Sequence, residues 1–183
     1  MALPSTIFKA NFQISDLNRN YYSDHRITIA RHPSENDERL LVRIVSFLLN
    51  ATEKLQFGKG LSVENEPALV AMADNGEITL WIDVGLPEEK NLKKAVNKSK
   101  EVKVYTYGDR KIRPWLERNL QSLKQLSGIS YFQITDEAIE QLMPLLSRNI
   151  NWSVLVLENN EISVTNEKHT VHIQVNSLNL SEK

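Results

Sequence analysis

Short runs of period-two alternation recur along the chain, separated by stripes of helical period. Phe8, Ala10, Phe12 and Ile14 alternate with Lys9, Asn11 and Gln13; after the polar DLNRN at 16–20, His25, Ile27 and Ile29 repeat the pattern. Each run reads as a half-buried strand, and the two together as a hairpin. A helix over 33–50 follows, with Pro33 in its first turn and Asp37, Leu40, Leu41, Ile44, Val45 and Leu48 on one face. Glu38 lies on the flank of that stripe; Glu35 points further toward solvent and reaches Arg39 at i+4. ALVAMA, then the turn residues Asn75-Gly76, then EITLWIDVG read as a second hairpin.

Pro87 opens a helix over 88–99 with Leu92, Ala95, Val96 and Ser99 inward, Lys93 at the flank of that face and Lys94 roughly opposite it. VKVYTYG at 102–108 is a strand. A helix over about 112–126 ends at Gly128, and ISYFQIT is a strand. Thr135 caps a helix over 136–147, with Pro144 limiting its tail. WSVLVLE, EISVT and TVHIQVN form a closing β-meander, and the terminal SLNLSEK frays. Strands alternating with helices predict an α/β fold: a mixed central sheet flanked by helices, with an N-terminal β-hairpin and a C-terminal β-meander. Its 183 residues fit one domain, 1–183, and 41% hydrophobic content supports a core.

Other classes are excluded by what is missing. With no Cys, neither disulfides nor thiolate chemistry are available, which suits a reducing compartment. MALPSTIFKANF has no basic, apolar leader pattern, and no run approaches the length of a membrane span. The expectation is a soluble, cytoplasmic protein. Neither GxGxxG nor a Walker P-loop occurs.

The net charge of −1 hides an asymmetry. Residues 90–124 carry eleven Lys/Arg against three acids, which is +8 and leaves −9 for the rest. Such a basic segment suits the backbone of a nucleic acid; the alternative is lysine-rich helices with solvated faces.

Asp83 raises a chemical question, because a carboxylate in the greasy strand LWIDVG is costly unless paired or ligating a metal. Through the Asn75-Gly76 turn, Glu66 in ENEPALV falls across the ladder from Asp83. Adjacent strands lie about 4.8 Å apart, where two carboxylates resist joint ionisation and a divalent cation such as Mg²⁺ resolves the conflict. Glu38 on the 33–50 helix can add a third acid. The alternative leaves Glu66 as an exposed loop acid and pairs Asp83 with Arg39 or Arg43. His32 more simply closes a turn than binds phosphate. Tyr105 and Tyr107 suit packing or base stacking, and Trp115 and Trp152 the core.

ARHPSENDER, LQFGKGL, ENEPALV, LWIDVGLPEEKNLKKA and VKVYTYG resemble the bacterial YaeQ family nearly end to end. That family is similar to the PD-(D/E)XK, restriction-endonuclease-like nucleases, whose core is a helix, three strands, a helix and a strand; 33–50, 61–84, 88–99 and 102–107 match it in order, within a core of about 33–107. The resemblance implies a Mg²⁺- or Mn²⁺-dependent nuclease in which Glu38 is the helical acid, Glu66 the acid of "PD" and Asp83 the acid of "(D/E)XK". Two departures stand out. Gly85 occupies the place of the motif lysine, which leaves Lys93 or Lys94 on the following helix to serve, and "PD" is reversed to Glu66-Pro67. Three functions follow as expectations: a phosphodiesterase on nucleic acid, a binding or regulatory module that keeps the fold without turnover, or a hydrolase of a small phosphorylated substrate.

Overall fold

The first alternating runs form a long hairpin. In a computed structural model that describes residues 4–58 and 66–180, β1 (Thr6–Asp16) and β2 (Tyr21–Arg31) pair antiparallel from Thr6↔Arg31 to Asp16↔Tyr21. Asn20, at φ +50, supplies a left-handed residue in the turn. Helix α1 (Asp37–Asn50) begins four residues later than the sequence pattern predicts. Pro33 lies in the preceding turn, and Asn36 is the cap, its side chain accepting from the Arg39 N–H at 3.0 Å. His32 closes that turn, with Nδ1 accepting from the Ser34 N–H at 3.1 Å.

Three strands follow: β3 (Leu55–Phe57), β4 (Leu69–Met72) and β5 (Ile78–Val84). LQFGKGLSVENEP, 55–67, reads from its glycines as a linker, but its first three residues form β3; 59–65 lie outside the described residues, as does the end of the tail. The Asn75-Gly76 turn forms as expected, with Gly76 at φ +83. Then come α2 (Glu89–Lys98), β6 (Ser99–Thr106), α3 (Asp109–Gln125), β7 (Ile129–Ile134), α4 (Asp136–Leu142), β8 (Asn149–Val156), β9 (Glu161–Thr165) and β10 (Thr170–Ser177). Thr135 caps α4 as predicted, accepting from the Ala138 N–H at 3.2 Å.

All ten strands join one mixed sheet in the order β2-β1-β8-β9-β10-β7-β6-β5-β4-β3. The N-terminal hairpin and the C-terminal meander are therefore neighbours, through a parallel β1–β8 ladder. β10 bridges the halves, pairing with β9 through residues 170–174 and with β7 through 175–177. Two apolar cores sit on opposite faces. The larger gathers α1 and α4 against Phe12, Leu69, Ile82, Tyr105, Trp152 and their neighbours. The smaller lies between α2, α3 and the parallel strands β5, β6 and β7, around Trp81, Val102, Val104, Trp115 and Tyr131. Tyr105 is packing, as one of its two expected roles had it: it is buried, stacks on Phe132 and accepts from Asn50 Nδ2 at 2.7 Å.

No helix among the described residues is long and apolar enough to cross a membrane.

Candidate functional site

Strand β5 separates its apolar and polar duties by alternation. Leu80, Ile82 and Val84 pack on the α1 side, while Trp81 and Asp83 leave the other face opposite Val102 and Val104 of β6. Gly85, at φ +102, turns the chain, and its N–H donates to Tyr105 O at 2.9 Å. Pro87 then leads into α2 and is held from outside, its carbonyl accepting from Trp115 Nε1 at 3.2 Å. α2 buries Leu92 and Ala95. Beside that stripe, Asn91 and Lys94 share the side of the helix that looks at the end of β5.

The result is a cavity of about 190 Å³ lined by Glu66, Trp81, Asp83, Asn91, Lys94 and the Leu86–Pro87 turn. Glu66 reaches it from the segment before β4. It stands outside the ladder, where Ala68 rather than Glu66 is level with Asp83, and the Ala68 N–H donates to Ile82 O at 2.8 Å. Gly58 pins the same segment by donating its N–H to Ala68 O at 2.9 Å.

Burial pushes the Asp83 carboxyl up to about 6; the Trp81 indole and the Arg39 charge pull it back more weakly. Trp81 is 5% exposed, and its Nε1 makes no hydrogen bond of ordinary geometry among the described residues, although it lies near enough to Asp83 to favour the carboxylate. Asn91 Oδ1 is also buried without a partner among them. Both residues line the pocket, and of the two polar atoms only Asn91 Oδ1 is without any neighbour that compensates it among the described residues.

Of the residues singled out from sequence, the structure brings together Glu66, Asp83 and Lys94. Lys93 is elsewhere: it is exposed and pairs with Glu89 at 2.5 Å, one turn back on α2. Glu38 is not in the pocket either. It is exposed at the start of α1, whose core lies on the opposite face of the sheet from Trp81, and its Oε2 accepts from Asn36 Nδ2 at 3.4 Å. The expected three-acid metal set therefore does not assemble, and no group of three His, Cys, Asp or Glu suited to a metal occurs among the described residues. Glu35 is not solvent-facing: it is fully buried between Arg39 at 2.6 Å and Arg43 at 2.9 Å. The alternative ion pair of Asp83 with Arg39 or Arg43 does not form among the described residues; both arginines pair with Glu35.

The remaining oxygen donors do suit a hard cation. Mg²⁺ is commonly held by one or two carboxylates and keeps several waters, and Glu66, Asp83 and the unpartnered Asn91 Oδ1 offer that chemistry. Sequence reasoning missed Trp81 and Asn91. The signals were present: Trp81 is two residues from Asp83 on the same strand face, and Asn91 is three from Lys94 on the same helix face. A larger cavity, about 410 Å³, lies beside Asn149, Asn151, Asn166 and His169, but it offers a single carboxylate, Glu167.

This fold and pocket define an α/β protein with a carboxylate-and-lysine site at the end of a central strand. The chain belongs to the YaeQ family, whose profile, "YaeQ protein", matches residues 1–175. Relatives called "Uncharacterized protein YaeQ" from Escherichia coli (strain K12) and Salmonella typhi are each 33% identical over 175 residues, 96% of this chain and of theirs. The crystal structure of YaeQ protein from Xanthomonas axonopodis pv. citri is similar at TM-score 0.89 and 34% identity, covering 94% of this chain and 97% of that one. That of YaeQ protein from Pseudomonas syringae is similar at TM-score 0.91 and 31% identity, covering 97% and 98%.

Proposed function

We propose that the chain is a divalent-metal-dependent phosphodiesterase acting on nucleic acid, with its centre in the Glu66–Asp83–Lys94 pocket. The observation that carries this reading is the convergence of two carboxylates and one lysine in a half-enclosed site. The order α1, β3, β4, β5, α2, β6 follows the arrangement of restriction-endonuclease-like cores, which supports the same reading. So does the position of the basic helices α2 and α3, which pack on the Trp81 face of the sheet and flank the pocket.

In this reading Glu66, Asp83 and Asn91 Oδ1 hold Mg²⁺ or Mn²⁺. The cation supplies Lewis-acid polarisation of a phosphate oxygen. Asp83 must be ionised to serve, so its raised pKa couples cation binding to pH. Lys94 places its ammonium where it can offset charge on the phosphate, standing in for the side chain that Gly85 lacks. Trp81 walls the pocket and limits water around the reacting group.

A second reading, a binding or regulatory module without turnover, draws on two observations. Among the described residues, only two carboxylates meet in the pocket. The basic segment is also partly neutralised, since Lys90, Lys93 and Lys100 pair with Glu88, Glu89 and Glu77 from outside it. A strongly phosphate-binding surface keeps more of its cations available.

Plasmid and single-stranded DNA incubated with the protein and Mn²⁺ or Mg²⁺ separate the two. Cleavage that Asp83→Ala abolishes supports the enzyme. Absence of cleavage over a wide protein range, together with no calorimetric Mn²⁺ binding, overturns it in favour of the module. Turnover of a small phosphoester without nicking of DNA keeps the chemistry and rejects the nucleic acid.

A further inference from the structure

β2 is an outer edge of the sheet, with β1 as its one strand neighbour along an unbroken register. Long, even edges are templates for pairing with another chain, and proteins guard them with brevity, Pro, bulges or charged side chains, Lys above all; charges guard an edge only where they are not complementary to the incoming strand. The opposite edge, β3, is protected by being three residues long. β2 runs for eleven residues, YYSDHRITIAR, and has no Pro, Gly, Lys or bulge. Tyr22, Asp24, Arg26 and Thr28 are exposed along its outer face.

The sequence of this edge is complementary to itself. A two-fold axis perpendicular to a sheet lays a strand antiparallel against its own copy and keeps each face on the same side. Only registers centred on a residue are then allowed. Centring on Asp24 sets Asp24 against Asp24, and centring on Arg26 sets Arg26 against Arg26, both like-charge pairs. Centring on Ile27 leaves Asp24 opposite Ala30. Centring on His25 sets Asp24 opposite Arg26 twice and Tyr22 opposite Thr28 twice. Opposite charges and aromatic–β-branched residues are the favourable cross-strand pairs, with Cβ atoms about 4.5–5.5 Å apart. At the axis itself the two His25 rings meet on the inner face. Each already bonds Tyr21 Oη at 2.9 Å and packs edge-on to Phe47. Burial lowers the His25 pKa against weaker opposition from Asp24 and Glu53, which disfavours a charged ring there.

We infer that β2 is a homodimerisation edge, joining a second copy of this chain antiparallel about His25 so that one sheet runs through both copies. Asp24 and Arg26 select the register. None of these residues lies in the Glu66–Asp83–Lys94 pocket, so the inference stands or falls independently of the proposed chemistry.

Light scattering and sedimentation of the full chain from micromolar to hundreds of micromolar test it, with circular dichroism to confirm folding. The wild type is expected to dimerise in this range. Asp24→Arg alone, or Arg26→Asp alone, sets like charges opposite each other and weakens the dimer at least tenfold. Mixing the two single variants restores it, because both 24–26 cross-strand pairs in the mixed dimer are then oppositely charged. A wild type that stays monomeric throughout overturns the inference. A dimer indifferent to both substitutions, or variants that fail to recover on mixing, overturns it as well.

Discussion

Arg43 Nη1 donates to Glu35 Oε2 at 2.9 Å, and both side chains are fully buried. The same guanidinium bonds the backbone carbonyls of Ala30 at 3.3 Å and Gly58 at 3.1 Å, and it lies over the Phe57 ring. One buried charge thus ties the end of β2, the turn before α1 and the end of β3 to a single point. Glu35 Oε1 also accepts from Arg39 Nη1 at 2.6 Å, and the Arg39 charge is felt at Asp83. The network therefore links the frame of the sheet to the candidate site.

Removing Glu35 leaves Arg43 buried and unpaired. Glu35→Ala is expected to cost about 3–5 kcal/mol, the usual penalty for breaking a buried ion pair from one side. Replacing the pair together, Glu35→Leu with Arg43→Met, recovers much of that loss. Urea denaturation of the three proteins measures both effects.

Asp83 costs stability when it ionises. Its folded pKa of about 6 lies above the usual 3.8 of an aspartate, so the folded state binds more protons between those values, and stability falls as pH rises from about 4 to about 6. Asp83→Asn removes that penalty. The variant should exceed the wild type by about 2–3 kcal/mol above pH 7, with the gain shrinking toward pH 4, since each pKa unit is worth about 1.4 kcal/mol. Thermal melts across the pH range test this, and a gain independent of pH would contradict the assignment.

Gly58 is required by contact. A Cβ there would stand 2.2 Å from Pro67 O, next to Glu66. Gly58→Ala must push the Glu66 segment away, and overpacking of this kind costs about 1–3 kcal/mol. Calorimetry should show a lowered melting temperature. Mn²⁺ affinity, if Glu66 is a ligand, should fall further than in variants of equal stability elsewhere.

Lys94 and Lys93 should differ sharply. Lys94→Ala is expected to lower any Mn²⁺-dependent cleavage about a hundredfold, the usual effect of deleting one group that stabilises transition-state charge. Lys93→Ala removes an exposed pair with Glu89; it should leave the rate nearly unchanged and cost no more than about 0.5 kcal/mol. Side-by-side kinetics of the two variants decide whether the pocket assigns the lysine correctly.

Much of the architecture was legible because local rules act over a few residues. The Leu80, Ile82, Val84 alternation declared a strand with two faces, Asn75-Gly76 a tight turn, and Thr135 a cap. Glu66 and Asp83 could be joined because one short hairpin separates them. The parallel β1–β8 pairing was not legible, since its partners, such as Asn11 and Asn151, are 140 residues apart and no local pattern records the contact. Nor was the burial of Glu35: sequence periodicity put it toward solvent, while two arginines packed over it supply the compensation a buried carboxylate needs. Glu38 looked available to the site because a helix stripe shows which side faces a sheet, but not which face of the sheet receives it.

By itself the sequence determined the strands, the helices and the isolation of Asp83 from the apolar side of β5, because these follow from backbone periodicity and the cost of burying charge. Only the tertiary structure decided between the two lysines. On the helical wheel Lys93 lies at the flank of the inward stripe and Lys94 roughly opposite it, so periodicity alone favours Lys93. The turn through Gly85 and Pro87 reverses that preference: it aims the side of α2 that carries Asn91 and Lys94 at the end of β5 and leaves Lys93 in solvent.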